Sequence, residues 1–320
     1  MGSGICGGER FVNKYINLWI LIGVCAISAL VEPRFLGPTN LINISNVASI
    51  LLIAALAQML IILLGEIDLS MGSVVALVSM VTVMTANQFG IWYGFLAGIA
   101  AGGIAGLLNG FITSLGVPSF ITTVAALTYM AGIARYISGG IPVESKDPAS
   151  GLLGSTYVGP IPLTVLIAAC LLGLIYAVTK FSQFGRVVYF IGSNKRATLL
   201  SGVNISRSIL LTFTVSGTLT GLAGIILASR VHSGQPELFP TLAFEAIGAI
   251  ALGGIPLTGG RGSVWQVLSG VIIYSVIKNA LTLANFSSQV QQVILGLILI
   301  LAVTVSMYSS KRTKLGVIGA

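Results

Sequence analysis

Charge is scarce in this chain. Only 8% of its 320 residues are Asp, Glu, Lys or Arg, where a soluble domain carries about 25%. So few charges cannot clothe a globular surface, which excludes an ordinary soluble protein. Histidine is represented by His232 alone, and the three cysteines, Cys6, Cys25 and Cys170, are scattered. That spacing supports neither a disulfide framework nor a metal site. A lone histidine with no second ligand beside it is more readily structural than catalytic. No Ser-His-Asp set can be assembled, and no carboxylates pair within the apolar runs. This argues against a membrane-embedded enzyme and against an ion-coupled carrier built on a charge relay.

What is abundant is hydrocarbon. Apolar residues make up 55% of the chain, with a mean hydropathy of +1.01. Ten apolar runs can be marked, roughly 15–31, 42–64, 71–87, 91–115, 119–138, 161–180, 209–229, 242–254, 264–284 and 289–308. Runs of about 20 residues suit helices crossing a hydrocarbon core about 30 Å thick. Strands would be shorter and would alternate polar with apolar residues. The expected fold class is an all-α polytopic membrane protein of about ten transmembrane helices. Its 40 glycines suit close helix packing. The eighth run is too short to cross as one straight helix, and Gly253-Gly254-Ile255-Pro256 interrupts it. We expect a broken helix lining a cavity there. The N-terminal Met-Gly-Ser-Gly-Ile-Cys lacks the Ser or Thr of a myristoylation start. The first run lacks a clean cleavage pattern and reads as a retained helix.

Orientation follows the placement of Lys and Arg. With ten crossings and both termini cytoplasmic, eleven basic and three acidic residues face inward, and five of each face outward. An odd number of crossings would weaken that bias. The expected division is a cytoplasmic segment 1–14, a transmembrane domain 15–308 and a cytoplasmic tail 309–320. The net charge of +8 therefore sits on the inner face and is no sign of nucleic-acid binding.

Four stretches could carry function. The inner loop 181–207 is the longest and most basic. Ser193 or Asn194 could cap a short helix that Gly202 ends in a left-handed turn, making a docking element. The plainer reading is a basic loop that sets topology. The stretch 252–264 holds five glycines but no strand and no Gly-Lys-Ser/Thr ending. Nucleotide binding is therefore excluded in favour of irregular backbone, with Arg261 at headgroup level. The segment 229–241 holds His232 and leads to Glu245, which either lines an outer vestibule or favours a helix N-terminus. In Leu64–Val74, Glu66 and Asp68 lie between apolar runs. Asp68 or Ser70 can cap the next helix and Gly65 can end the previous one, but neither role explains Glu66. A contact between Glu66 and Arg261 is a further expectation. Gly65-x-Ile67-x-Leu69-Ser70 echoes Gly253-x-Ile255-x-Leu257-Thr258, and Gly72-Ser73-Val74 echoes Gly262-Ser263-Val264. This reads as an internal repeat or as shared turn chemistry.

These stretches resemble the ribose-type sugar permeases, the membrane subunits of binding-protein-dependent ABC importers. Gly65-Glu-Ile-Asp-Leu-Ser-Met-Gly-Ser is similar to that family's Gly-Gly-Ile-Asp-Leu-Ser-Val-Gly-Ser. Gly192-x-Asn194-x-x-Ala197, with Gly202-Val203 beyond, Gln235-Pro236 with Glu245-Ala246-Ile247, and Leu252-Gly253-Gly254 with Gly259-Gly260-Arg261-Gly262 follow in the family's order. Glu66 for a small residue and Met71 for Val depart from its pattern. The resemblance implies a ten-helix fold similar to the vitamin-B12-type (type II) importers, in the cell inner membrane. It implies a second permease subunit, identical or paralogous, an extracytoplasmic sugar-binding protein, and a cytoplasmic ATPase that uses ATP and Mg. The permease itself would hold no cofactor. ATPase coupling would then fall to Gly192, Ser193, Asn194, Lys195, Arg196, Ala197, Gly202 and Val203. Translocation or gating would fall to Glu66, Asp68, Ser70, Gly72, Glu245, Gly253, Gly254 and Arg261. A pentose or hexose is the expected solute, with nucleosides, polyols or autoinducer-type sugars as alternatives. A passive channel or secondary carrier is the rival class, and co-purification of an ATPase separates the two.

Overall fold

A computed structural model describes residues 19–30 and 32–318, with side chains as far as Thr304. The segment expected at 1–14 lies outside the described residues, as do the tail's side chains. Twelve helices are present among the described residues: α1 (Trp19–Leu30), then α2 (Pro38–Leu63), α3 (Met71–Phe89), α4 (Ile91–Ser114), α5 (Ser119–Ser138), α6 (Leu163–Phe181), α7 (Gln183–Ser193), α8 (Lys195–Leu200), α9 (Ile205–Val231), α10 (Leu242–Leu252), α11 (Val264–Leu283) and α12 (Ser288–Ile318). The chain is an all-helical polytopic membrane protein. Seven of these helices are long and apolar enough to cross a membrane: α2, α3, α4, α5, α6, α9 and α11. The first and eighth runs form shorter apolar helices, Trp19–Leu30 and Leu242–Leu252, and the tenth lies within α12.

The chain divides into two compact units. One comprises 1–48, 248–256 and 265–320. Within it, Asn40 and Asn279 exchange amide hydrogen bonds at 2.9 and 2.8 Å and tie α2 to α11. The pair satisfies both side chains inside an apolar setting, where an unmatched amide is expensive. Gly270 lies against the Ala249 carbonyl, so the end of α10 approaches α11 at backbone distance.

The other unit comprises 49–247 and 257–264. Its helices approach through glycine. A Cβ on Gly102 would lie 2.6 Å from the Gly217 carbonyl and 2.7 Å from the Gly221 Cα, and one on Gly106 would lie 2.9 Å from the Gly217 Cα. The spacing Gly102, Gly106, Gly110 on α4 therefore forms a smooth seam for α9, of the kind that draws helices together in lipid. The last eleven residues of α2, Ile53–Leu63, are buried on every side, as expected of a helix apolar all round.

Away from α2's C-terminal end, two short antiparallel strand pairs decorate the unit. β1 (Val143–Glu144) pairs antiparallel with β4 (Ser233–Gly234), and β2 (Tyr157–Val158) pairs with β3 (Ile161–Pro162). His232 ends α9 in the left-handed region at φ 52°. Its Nδ1 shares a 2.9 Å hydrogen bond with Ser150 Oγ. The lone histidine therefore has a local structural role.

The segment after β4 packs along α3. Gln235 exchanges hydrogen bonds with Ser79 Oγ at 3.1 Å. Further on, a Cβ on Gly72 would lie 2.8 Å from the Pro240 carbonyl. Seven helical residues separate Ser79 from Gly72, so the chain descends about 10 Å along α3 without being helical. Such backbone is tolerated at depth only against protein or a cavity. Pro236 and Pro240 each remove a backbone donor that would otherwise need a partner there. Glu245 is consequently buried in the first turn of α10, accepting from Thr241 Oγ1 at 3.0 Å. Glu245 is the acidic residue of the first turn of α10. α10 begins level with the start of α3.

Candidate functional site: the joint between the 181–207 helices and two glycine loops

The chain turns sharply out of α6. Ser182 accepts a 3.0 Å hydrogen bond from the Gly185 N–H and caps α7. Gly185 lies so close to the Val178 and Thr179 carbonyls that any side chain would clash. Val188 and Ile191, three residues apart, are buried with Gly185, while Phe190 is exposed. The expected single loop is thus two helices. The second is the foreseen one, but shorter than two turns. Asn194 caps α8 by accepting from the Ala197 N–H at 3.0 Å, and Gly202 follows it at φ 80°. Ser193 is not the cap. Instead its hydroxyl donates to the Gly260 carbonyl at 3.2 Å. Arg196, Ala197, Leu199 and Leu200 are exposed, and Val203 is half-buried.

The end of α7 is locked to both glycine loops. Gly260 donates its N–H to the Leu63 carbonyl at 3.0 Å. A Cβ on Gly192 would strike that same carbonyl and the Gly260 nitrogen. One on Gly259, itself at φ 86°, would lie 2.6 Å from the Gly65 nitrogen. Glycine is required at these places because three backbones meet there. Tyr189 adds a 2.7 Å hydrogen bond to the Gly262 carbonyl, and burial pushes its phenol pKa up, so it remains a donor.

The acidic pair separates into two environments. Asp68 is buried. Its carboxylate accepts from the Ser70 N–H at 2.8 Å and the Ser70 hydroxyl at 2.6 Å. Asn109 Nδ2 donates in turn to Ser70 Oγ at 2.9 Å. With its amide oriented to match its neighbours, Gln58 donates to the Asp68 carbonyl at 3.2 Å and accepts from the Asp68 N–H at 3.3 Å. Ser70 occupies the N-cap position of α3, but its side chain makes no capping bond. Asp68 therefore fastens the loop to α2, α3 and α4. Burial pushes its pKa up, and the Ser70 hydrogen bonds oppose that shift.

Glu66 points the other way. It accepts from Ser119 Oγ at 2.7 Å, at the start of α5. Its partner ion is Lys195 on α8, at 3.5 Å, rather than the expected Arg261. The motif match had no means of finding this pair, because Lys195 and Glu66 lie in different elements. Gly253 and Gly254 belong to the first unit, where Gly253 packs on the Gln266 carbonyl and Gly254 ends α10 at φ 82°.

The echo between the two loops is a shared turn, displaced by one residue. Gly65 donates to Ile62 and Glu66 to Ile61, as Gly254 donates to Ala251 and Ile255 to Ile250. Both are left-handed helix stops of the same pattern. Gly65 therefore corresponds to Gly254, not Gly253. The second half of the match dissolves, since Gly72 lies inside α3 and Gly262 precedes α11.

Residues 40–303 match the family described as branched-chain amino acid transport system / permease component. A ribose import permease protein of Haemophilus influenzae is 32% identical over 305 residues, covering 93% of this chain and 94% of that one. An L-arabinose transport system permease protein of Escherichia coli is 35% identical over 308 residues, 95% and 94% of the two chains. A probable ABC transporter permease protein of Escherichia coli is 34% identical over 314 residues, 96% and 94% of the two. No solved structure matches.

Proposed function

The chain belongs to this family of transport permeases, and from that premise we propose that it is the membrane-spanning subunit of an ATP-driven importer for a small neutral sugar. It is a transport subunit rather than an enzyme. The family model's description names amino acids, whereas the relatives that match nearly end to end are named for ribose and arabinose. A pentose is accordingly the first solute to test.

One observation carries the mechanism: the α7–α8 pair is fused by backbone contacts to the loops at Leu63–Ser70 and Leu257–Val264. Outwardly it presents Phe190, Leu199 and Leu200 with Arg196, an apolar and basic face suited to a partner protein. A separate ATPase binding ATP and Mg would push on this face. The Gly192–Leu63–Gly260 joint would carry the movement to the ends of α2 and α3. In this reading the 181–207 face is cytoplasmic, the membrane is crossed ten times with both termini inside, and the fold is of the vitamin-B12 type. A second permease subunit and an extracytoplasmic binding protein complete the assembly in the inner membrane.

The test is reconstitution of the chain with its ATPase and binding protein in proteoliposomes, assayed with D-ribose, L-arabinose and a branched-chain amino acid. ATP-dependent pentose uptake is expected. Uptake of the amino acid alone would reassign the solute, and uptake of any of them without ATP would point to a passive carrier.

A further inference from the structure

One cavity lies apart from the joint described above. It occupies about 190 Å³ between α3, α5 and the descending segment 235–240. Taking the share of one liquid water as about 30 Å³, that is room for about six waters, or one small solute. Its floor is where Gly72 meets Pro240, and its walls include Ala76 and Ala131, whose small side chains leave the space open. At its far end Arg135 Nη2 donates to Glu237 Oε1 at 2.8 Å.

We infer that this cavity receives a small neutral polyhydroxylated solute in transit, and that the Arg135–Glu237 pair is its outer latch. The inference rests on the importer reading above and locates its pathway. Three features of the site carry it. The wall is partly non-helical backbone at membrane depth, which persists only where protein or a cavity covers it. The charged groups at its end cancel, so a neutral solute enters without an uncompensated ion, and vicinal hydroxyls can accept from the guanidinium while donating to the carboxylate. Apolar surface from Leu127 and Leu238 faces the same space and suits the C–H face of a sugar ring. The latch is easily opened. Arg135 and Glu237 are 57% and 69% exposed, and water competes for both ends of so exposed a pair. Opening needs movement only of two side chains or of the 235–240 segment, with α3 and α5 held in place.

The experiment uses the complete transporter in proteoliposomes. Wild-type protein must first show ATP-dependent uptake of ribose or arabinose; if it takes up neither, the sugar reading fails, and the solute pathway inferred from it falls too. With uptake established, Ala131→Trp fills the cavity and should reduce uptake about tenfold or more, while Ala131→Ser should retain it. Normal uptake by Ala131→Trp in an assembled complex overturns the inference. If the Trp variant does not assemble, Arg135→Cys with Glu237→Cys, in a background with Cys6, Cys25 and Cys170 replaced by Ser, decides the matter. Bridging this pair with a reducible bis-thiol crosslinker should stop uptake, and reductant should restore it. Undiminished uptake by the bridged protein overturns the latch.

Discussion

The Lys195 ammonium lies 3.5 Å from the Glu66 carboxylate, joining the capped helix α8 to the turn that ends α2. Lys195 is 58% exposed, so the pair adds little stability, at most about 1 kcal/mol. It links the largely exposed helix α8 to a loop that also holds the start of α5 through Ser119. Lys195→Glu should leave the melting temperature of the purified protein nearly unchanged and lower the sugar imported per ATP hydrolysed. Paired measurement of uptake and phosphate release reads this ratio. An unaltered ratio would remove the ion pair from the coupling path.

Gly192 is the tightest point of the joint. Gly192→Ala should cost about 1–3 kcal/mol, because the new methyl strikes the Leu63 carbonyl and the backbone can retreat only by disturbing α2. Thermal unfolding in detergent measures the loss. Gly173→Ala on α6, where a Cβ meets nothing within 4 Å, is the matched control and should be silent.

Asn194→Ala removes the cap of a six-residue helix. A lost N-cap costs about 1 kcal/mol, enough to fray so short an element. The expected outcome is weaker retention of the ATPase on affinity-purified permease, with membrane insertion intact. Asn194→Asp or Asn194→Ser, which can still cap, should restore retention.

Asp68 makes a prediction about pH. Its pKa is raised in the folded protein, so the folded state holds the proton more firmly than the unfolded chain does. The resulting stabilisation is complete below the ordinary carboxylate value near 3.9 and is lost as pH rises through the folded value. Melting temperatures measured from about pH 4 to about pH 7 should therefore fall more for the wild type than for Asp68→Asn, which does not titrate. Parallel curves for the two proteins would refute this.

Much of the architecture was legible in the residues. Each of the ten marked apolar runs contains a helix among the described residues, with ends displaced by a few residues except in α12, which continues to Ile318 beyond the run marked to 308. Lipid leaves the backbone no partner but its own chain, so an apolar run is forced to be helical. The cap at Asn194 and the left-handed Gly202 could be read for the same local reason, because each depends on one residue and its next few neighbours. Glycine spacing also announced close packing, although not which helix would meet which.

Contacts between distant elements could not be read in this way. Glu66 and Asp68, two positions apart, look alike in sequence. One is buried against Ser70 and the end of α2, and the other reaches out to Lys195 and Ser119. The 235–240 segment reads as a polar external loop by its Gln, Glu and prolines. It descends beside α3 because Gly72 admits the Pro240 backbone and Ser79 satisfies Gln235. Hydropathy and turn chemistry act within a few residues, and they determined the helices and their stops. The three-backbone joint, the buried aspartate and the cavity beneath Arg135 arise where elements far apart in the chain must satisfy one another's polar groups, and only tertiary packing decides that.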